Sequence, residues 1–167
     1  MNASEEQERE SSEWNVRELS AGEFDALSAA SEYGGFQQTS EMAALAQSEG
    51  MQTQYVGLVD SHDVPVAGAL VAFSQGRFGV EGSLWLGPLC NGNDGEQMTA
   101  LTDGLREVAE RVHAISLTCW PNQVYCVRDS QGKVMAEPND EMVREYERLG
   151  WKHAGFARGY GALGRSE

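Results

Sequence analysis

The sequence predicts a mixed α/β fold, a largely antiparallel sheet flanked by helices, and three observations carry that expectation. Strand-type apolar runs at Thr53–Val59, Val66–Phe73 and Arg77–Leu86 are joined by the short turns Ser61-His-Asp-Val-Pro65 and Gln75-Gly76, which reads as a three-strand antiparallel meander. Met98, Leu101, Leu105, Val108 and Val112 recur at helical spacing, so a long amphipathic helix follows the meander. Ser20-Ala-Gly-Glu23 has the capping-box pattern, in which a hydroxyl and a carboxylate satisfy free N–H groups at a helix start. A chain of 167 residues suits one domain with a real core.

In chain order, Trp14 to Leu19 is a short strand, and the capped helix after it presents Phe24, Leu27 and Ala30 on one face before stopping near Tyr33-Gly34-Gly35. Phe36-Gln-Gln-Thr39 leads into a second helix from Ser40 to about Gln47, ended by Gly50. Small residues on the second meander strand imply close packing against a helix. The stretch from Ser83 to Asp94 turns through Gly87-Pro88 into an Asn/Gly/Asp loop, and the long helix runs from Asn93 or Asp94 to about Val112 with Asp94 and Glu96 suited to its dipole. Ala114 to Trp120 is a strand terminated by Pro121, Val124 to Val127 reads as extended, and Asp129-Ser-Gln-Gly132 is a turn. Asn139 caps a last helix through Leu149, and Trp151 to Tyr160 returns as a strand interrupted by Gly155. The domain is expected over residues 14–161, between an acidic tail at 1–13 and a short tail at 162–167.

A formal net charge of -14 argues against a phosphate-binding surface and against DNA. Glu5, Glu6, Glu8, Glu10 and Glu13 face only Arg9, which is the pattern of a solvated end. Cys90, Cys119 and Cys126 lack the short paired spacings of a zinc site, so no metal is expected, and they read as free thiols in a reducing compartment. No apolar run reaches transmembrane length and the acidic start is not a signal peptide, so the chain is expected in the cytoplasm.

The element order is that of the Gcn5-related acetyltransferases (GNAT), so the expected architecture is a single GNAT-like domain. Those enzymes hold a coenzyme pyrophosphate with free N–H groups and positive charge at the head of the central helix. Here that place reads Leu86-Gly-Pro-Leu-Cys-Asn-Gly-Asn-Asp-Gly-Glu96, with two carboxylates, no cation and a proline that removes a donor. An acyl-CoA site is therefore not expected, and no cofactor is. His62, His113 and His153 stand apart from any Ser, Cys or Asp at motif spacing, so no nucleophilic triad can be built. Trp120-Pro121 and Gly159-Tyr160 are candidate cleft-lining elements, with core or edge packing as the plainer role for each aromatic.

Five ordered segments resemble the Fem/MurM (FemAB-like) aminoacyltransferases, which build the interpeptide bridge of peptidoglycan. Phe36-Gln-Gln-Thr39 is similar to the family's Phe-x-Gln-Ser/Thr, Tyr55-Val-Gly-Leu58 to its first meander strand, and Leu86-Gly-Pro-Leu-Cys-Asn91 to Arg-Gly-Pro-Val-x-Asp. The run from Cys119-Trp-Pro to Asp129-Ser-Gln-Gly-Lys133 resembles its Asp-Pro-rich strand end and Asp-Gly turn. Leu149-Gly-Trp-Lys-His-Ala-Gly-Phe-Ala-Arg-Gly-Tyr160 is similar to Leu-Gly-Phe-x-His-x-Gly-Phe-x-x-Gly-Phe/Tyr.

The resemblance implies an acetyltransferase-like domain, one of the two such domains in that family's enzymes. Those enzymes transfer an amino acid from aminoacyl-tRNA to the stem peptide of a UDP- or lipid-linked muramyl peptide. By position on the pattern, Gln38, Thr39, Gly87, Asn91 and Tyr160 are the expected substrate contacts, and no residue is identified as the catalytic group. Three departures stand out: Ala46 where many members carry a phosphate-binding Lys on the second helix, Leu86 for the Arg, and Asn91 for the Asp. The chain is then one domain of a longer or paired enzyme, inactive alone and meeting aminoacyl-tRNA through a second domain or partner. The alternative is a non-catalytic interaction or regulatory module on the same fold that binds a protein partner or a second copy.

Overall fold

The computed structural model describes residues 14–90 and 95–155. Contacts group these into two compact units, one up to Gln123 and one from Val124. The first unit contains the sheet. Its strands are β1 (Asn15–Glu18), β2 (Gln52–Val59), β3 (Pro65–Gln75), β4 (Val80–Trp85), β5 (Leu89–Cys90) and β6 (Ala114–Trp120), ordered β1-β2-β3-β4-β6 with β5 also on β3. The β1–β2, β2–β3, β3–β4 and β3–β5 pairs are antiparallel, and β4–β6 is parallel. The meander expected from sequence is β2–β3–β4, and the parallel pair is reached through helix α3 (Gly95–Arg111), because parallel neighbours need a long crossover.

Local chemistry explains where the elements start and stop. The hydroxyl of Ser20 accepts from the Glu23 N–H at 3.3 Å, and the Glu23 carboxylate accepts from the Ser20 N–H at 2.8 Å, so the capping box opens α1 (Ala21–Ala30). Thr39 caps α2 (Ser40–Ser48) after a single 3-10 turn, Phe36–Gln38. The Asp25 carboxylate on α1 accepts from the Ser40 N–H at 2.7 Å and its hydroxyl at 2.6 Å, tying the two helices together. Between them Gly34 is obligatory, since a Cβ there would run into the Ser28 carbonyl.

The core gathers Leu19, Phe24, Leu27, Ala43, Val59, Leu70 and Leu89. Phe24 stacks on Tyr55 at 4.9 Å between ring centroids. Burying a side chain like Phe24 contributes on the order of 1.5–3 kcal/mol relative to leaving it in water. Helix α3 buries Leu101, Leu105 and Val108 as its periodicity predicts, and Gly104 lets it approach Val16 of β1.

Several expectations are corrected. Ala30 is exposed and Ser28 takes the buried place on α1, because Phe24, Leu27 and Ser28 stand at i, i+3 and i+4 on one helical stripe and Ala30 falls to its side. The third meander strand begins at Val80 rather than Arg77: Gly76 N–H donates to the Gly79 carbonyl at 2.8 Å, which puts Arg77 and Phe78 at a hairpin tip. It also stops at Trp85, and the pairing resumes only at β5.

The second unit holds α4 (Asp140–Arg148), capped by the Asn139 side chain as predicted. Arg128 bridges to Val134 around the Asp129 turn, whose carboxylate accepts from the Gln131 and Lys133 N–H groups. Tyr146 meets Trp151 edge to face. Residues 151–155 carry no strand, and the rest of the strand expected over Trp151 to Tyr160 lies outside the described residues. Among the described residues no helix is long and apolar enough to cross a membrane.

Candidate functional site

Clefts in sheets with parallel strands form at the strands' carboxyl ends, where the chain leaves for different elements. In this sheet that place is the end of the β4–β6 pair, where Trp85 stands in register with Trp120. Both indoles are half-buried. Asn122, just past β6, donates its side-chain amide to the Tyr33 carbonyl at 3.0 Å. The β6 exit is thereby held beside the loop that leads into the 3-10 turn and α2.

The ladder between β3 and β4 breaks here. Register runs from Gln75↔Val80 to Ala72↔Ser83, then resumes at Gly68↔Leu89 and Ala67↔Cys90. Five residues, Leu84 to Pro88, therefore stand opposite the three from Ala69 to Val71, a bulge that bends the strand and re-aims its backbone. Leu86 adopts a left-handed φ of 51°, an unusual conformation for a branched residue, and the Gly87–Pro88 peptide is cis.

Gln38 fills the break. It is fully buried. Its Oε1 accepts from the Leu70 N–H at 2.9 Å, and its Nε2 donates to the Trp85 carbonyl at 2.9 Å and to the Leu70 carbonyl at 3.4 Å. The Leu70 N–H fixes which end of the amide is oxygen. A peptide-like side chain thus takes the part of the missing strand, as buried backbone polar groups require. Gly87 lies directly against it: a Cβ at Gly87 would stand 2.7 Å from Gln38 Cδ.

Of the residues expected at the site, Gln38 and Gly87 come together in this buried contact, and Gln38 has its amide committed to backbone. Thr39 is half-exposed next to them. Its Oγ1 accepts from the Met42 N–H at 3.4 Å and donates to the Phe36 carbonyl at 2.7 Å. Asn91 and Tyr160 lie outside the described residues. Ala46 is 2% exposed and packs in the core.

Cys119, paired with Leu84 in register, has its thiol pushed up to about 12 by burial, so it is a neutral packing group and not a nucleophilic thiolate. Tyr55 lies further along the sheet; burial, then the charges of Asp25 and Glu41, raise its phenol above the ordinary value. Sequence reasoning missed the Trp85–Trp120 juxtaposition and the Tyr33–Asn122 link. Only the parallel pairing of β4 with β6 reveals the first, and no sequence signal marks the second.

A family model described as FemAB family matches residues 19–166. A crystal structure of FemX superposes with a TM-score of 0.70 at 18% identity, covering 87% of this chain and 34% of that one. The chain thus spans about a third of the FemX chain. Glucosamine-6-phosphate N-acetyltransferase from Arabidopsis thaliana gives 0.55 at 9% identity over 87% and 96% of the two chains, and a putative acetyl transferase from Pyrococcus furiosus gives 0.53 at 10% over 88% and 98%. At these identities the likeness is one of fold, an acetyltransferase-like one. None of the curated proteins compared with the chain matches it.

Proposed function

The chain belongs to the FemAB family, and on that premise we propose that it forms one wall of the substrate cleft of a Fem-type aminoacyltransferase, a cell-wall enzyme that adds an amino acid to the stem peptide of a muramyl-peptide precursor. The observation that carries this reading is the family match over residues 19–166, joined to the broken strand at the carboxyl end of β4. In acyl transfer from an activated ester the amine must be held in line with the carbonyl, and the developing oxyanion must meet positive or N–H charge. Thr39, Gly87, Asn91 and Tyr160 are the proposed substrate contacts by their place on the family pattern, and Gln38 lies behind Gly87. The opposite wall, the aminoacyl-tRNA and the group that takes the amine proton belong to a second domain or partner, so the chain alone is inactive.

A second reading is favoured by one specific observation, the formal net charge of -14. Diphosphate and tRNA call for cations, and Arg17 and Arg106 are engaged by Glu23, Asp63 and Asp103 of the same unit. On this reading the domain is a non-catalytic module that pairs with a full-length relative.

Thermal unfolding with UDP-linked muramyl pentapeptide, and with acetyl-CoA in parallel, separates the readings. Ligand at 100 times its dissociation constant stabilises a binding-competent fold by about 2.7 kcal/mol. A shift with the precursor alone supports the transferase wall, and no shift with either ligand favours the module. A shift with acetyl-CoA would overturn both.

A further inference from the structure

We propose that Gln38 is the positioning residue of this wall: its amide replaces the missing stretch of strand and thereby sets where the backbone of Trp85, Leu86 and Gly87 lies at the cleft. The inference rests on the functional reading above and changes Gln38 from a substrate contact into the group that shapes the contact surface.

Three observations lead here. First, the amide's hydrogen bonds end on backbone from both sides of the break, Leu70 on β3 and Trp85 on β4, so it spans the gap and does not point into solvent. Second, Gly87 is packed so closely on the amide that the two positions share one volume. Third, Gln38 ends the 3-10 turn that leads directly to Thr39 and α2. One side chain therefore registers the α2 start against the β4 exit, and a ligand that contacts Thr39 and Gly87 together meets a spacing that Gln38 fixes.

Gln38→Met keeps the length and apolar stem and removes both polar ends. Hydrogen exchange on the full chain should then speed up at Leu70, from Leu84 to Gly87 and at Leu89 and Cys90 by about tenfold more than at Ala72 and Phe73, where the ladder is intact. The dissociation constant for UDP-linked muramyl pentapeptide should rise about tenfold, measured well below the unfolding temperature. A purely structural role would lower the melting temperature and leave affinity of the folded fraction unchanged.

Gly87→Ala should lower the melting temperature strongly in the wild-type background and little in Gln38→Ala, a non-additivity expected of two groups in contact. Gln38→Glu serves as the conservative rescue, and as the folding-competent variant should Gln38→Met fail to fold. Its protonated carboxyl can still donate to Trp85 and accept from Leu70, so exchange and affinity should approach wild type at low pH and depart from it as pH rises.

Uniform acceleration of exchange across β3, or unchanged affinity in a folded Gln38→Met, overturns the proposal. A wild-type chain that fails to bind the precursor overturns the functional reading instead, and the exchange pattern then decides separately whether Gln38 shapes the wall.

Discussion

Two polar networks tie the α1–α2 segment to the sheet, and they are built in opposite ways. At one end Arg17 of β1 reaches Glu23 on α1 and Asp63 in the β2–β3 turn, each at 2.7 Å. At the other end a single neutral amide, Gln38, holds β3 and β4. The first network is charged and open to water, so every bond it makes replaces one that solvent would supply, and salt screens what remains. The second is neutral and dry, where leaving a donor or acceptor without a partner costs about 1–3 kcal/mol per group. Charge is therefore a poor guide to structural weight: the uncharged side chain holds β3 to β4 at the break, and the ion pairs lie at the far end of the segment.

Removing each network's centre separates the two. Gln38→Leu leaves the Leu70 N–H and the Leu70 and Trp85 carbonyls buried beside an apolar side chain. Urea unfolding should show a loss of about 3 kcal/mol or more, in the range reserved for buried polar groups left unpaired. Gln38→Glu sharpens the same point through pH. In the folded chain its carboxylate would face two carbonyls in a dry site, so the folded pKa is raised above the unfolded value, ordinarily about 4.3. A raised folded pKa means stability that is present below the unfolded value and lost as pH rises through the folded one. The variant should therefore approach wild-type stability in acid and fall furthest behind near neutrality, the reverse of ordinary acid unfolding.

Next in size come the two caps. Thr39→Ala removes the hydroxyl that accepts from the Met42 N–H, and Ser20→Ala removes its counterpart at α1. Each should cost about 1 kcal/mol in chemical denaturation. Should Thr39 also touch ligand, Thr39→Ser would keep the cap and weaken precursor binding selectively, whereas Ser20→Thr would leave binding untouched.

What the sequence disclosed and what it hid follow the same division between open and buried chemistry. Helix starts are local chemistry, so Ser20-Ala-Gly-Glu23 and Asn139 announced α1 and α4, and the 3.6-residue spacing of Leu101, Leu105 and Val108 announced α3. The meander was visible because short turns separate its apolar runs. The break between Trp85 and Leu89 was not visible, because Leu86-Gly-Pro reads equally as a strand end or as a turn, and its partner Gln38 is distant in sequence. The family pattern puts Gln38 and Gly87 among the expected substrate contacts, and a pattern shows position without showing which way a side chain faces. The position of Ala46 carries the same lesson: a departure that reads as a lost cation lies in the packed core.

The smallest expected effect belongs to the charged network, and it is the one that pH isolates. Glu23 is held down from 4.5 to about 2, first by the Arg17 guanidinium and then by the Ser20 N–H and hydroxyl. A carboxyl lowered in the folded state contributes stability that is complete above its unfolded pKa and is lost as pH falls through the folded one, so this contribution fades between 4.5 and about 2. Arg17→Met removes the leading cause and leaves the cap, so the folded pKa of Glu23 should climb back toward 4.5 while that of Ser20→Ala climbs less. Carbon-detected titration of the Glu23 carboxyl measures both directly. Because that contribution is complete at neutral pH, Arg17→Met should lower stability there, by much less than Gln38→Leu because water screens the pair, and the loss should shrink in molar salt and in acid. If Arg17→Met instead destabilised the chain as much as Gln38→Leu, the ordering of the two networks would be wrong, and the Arg17 pairs would have to be shielded from water in a way their exposed geometry does not suggest.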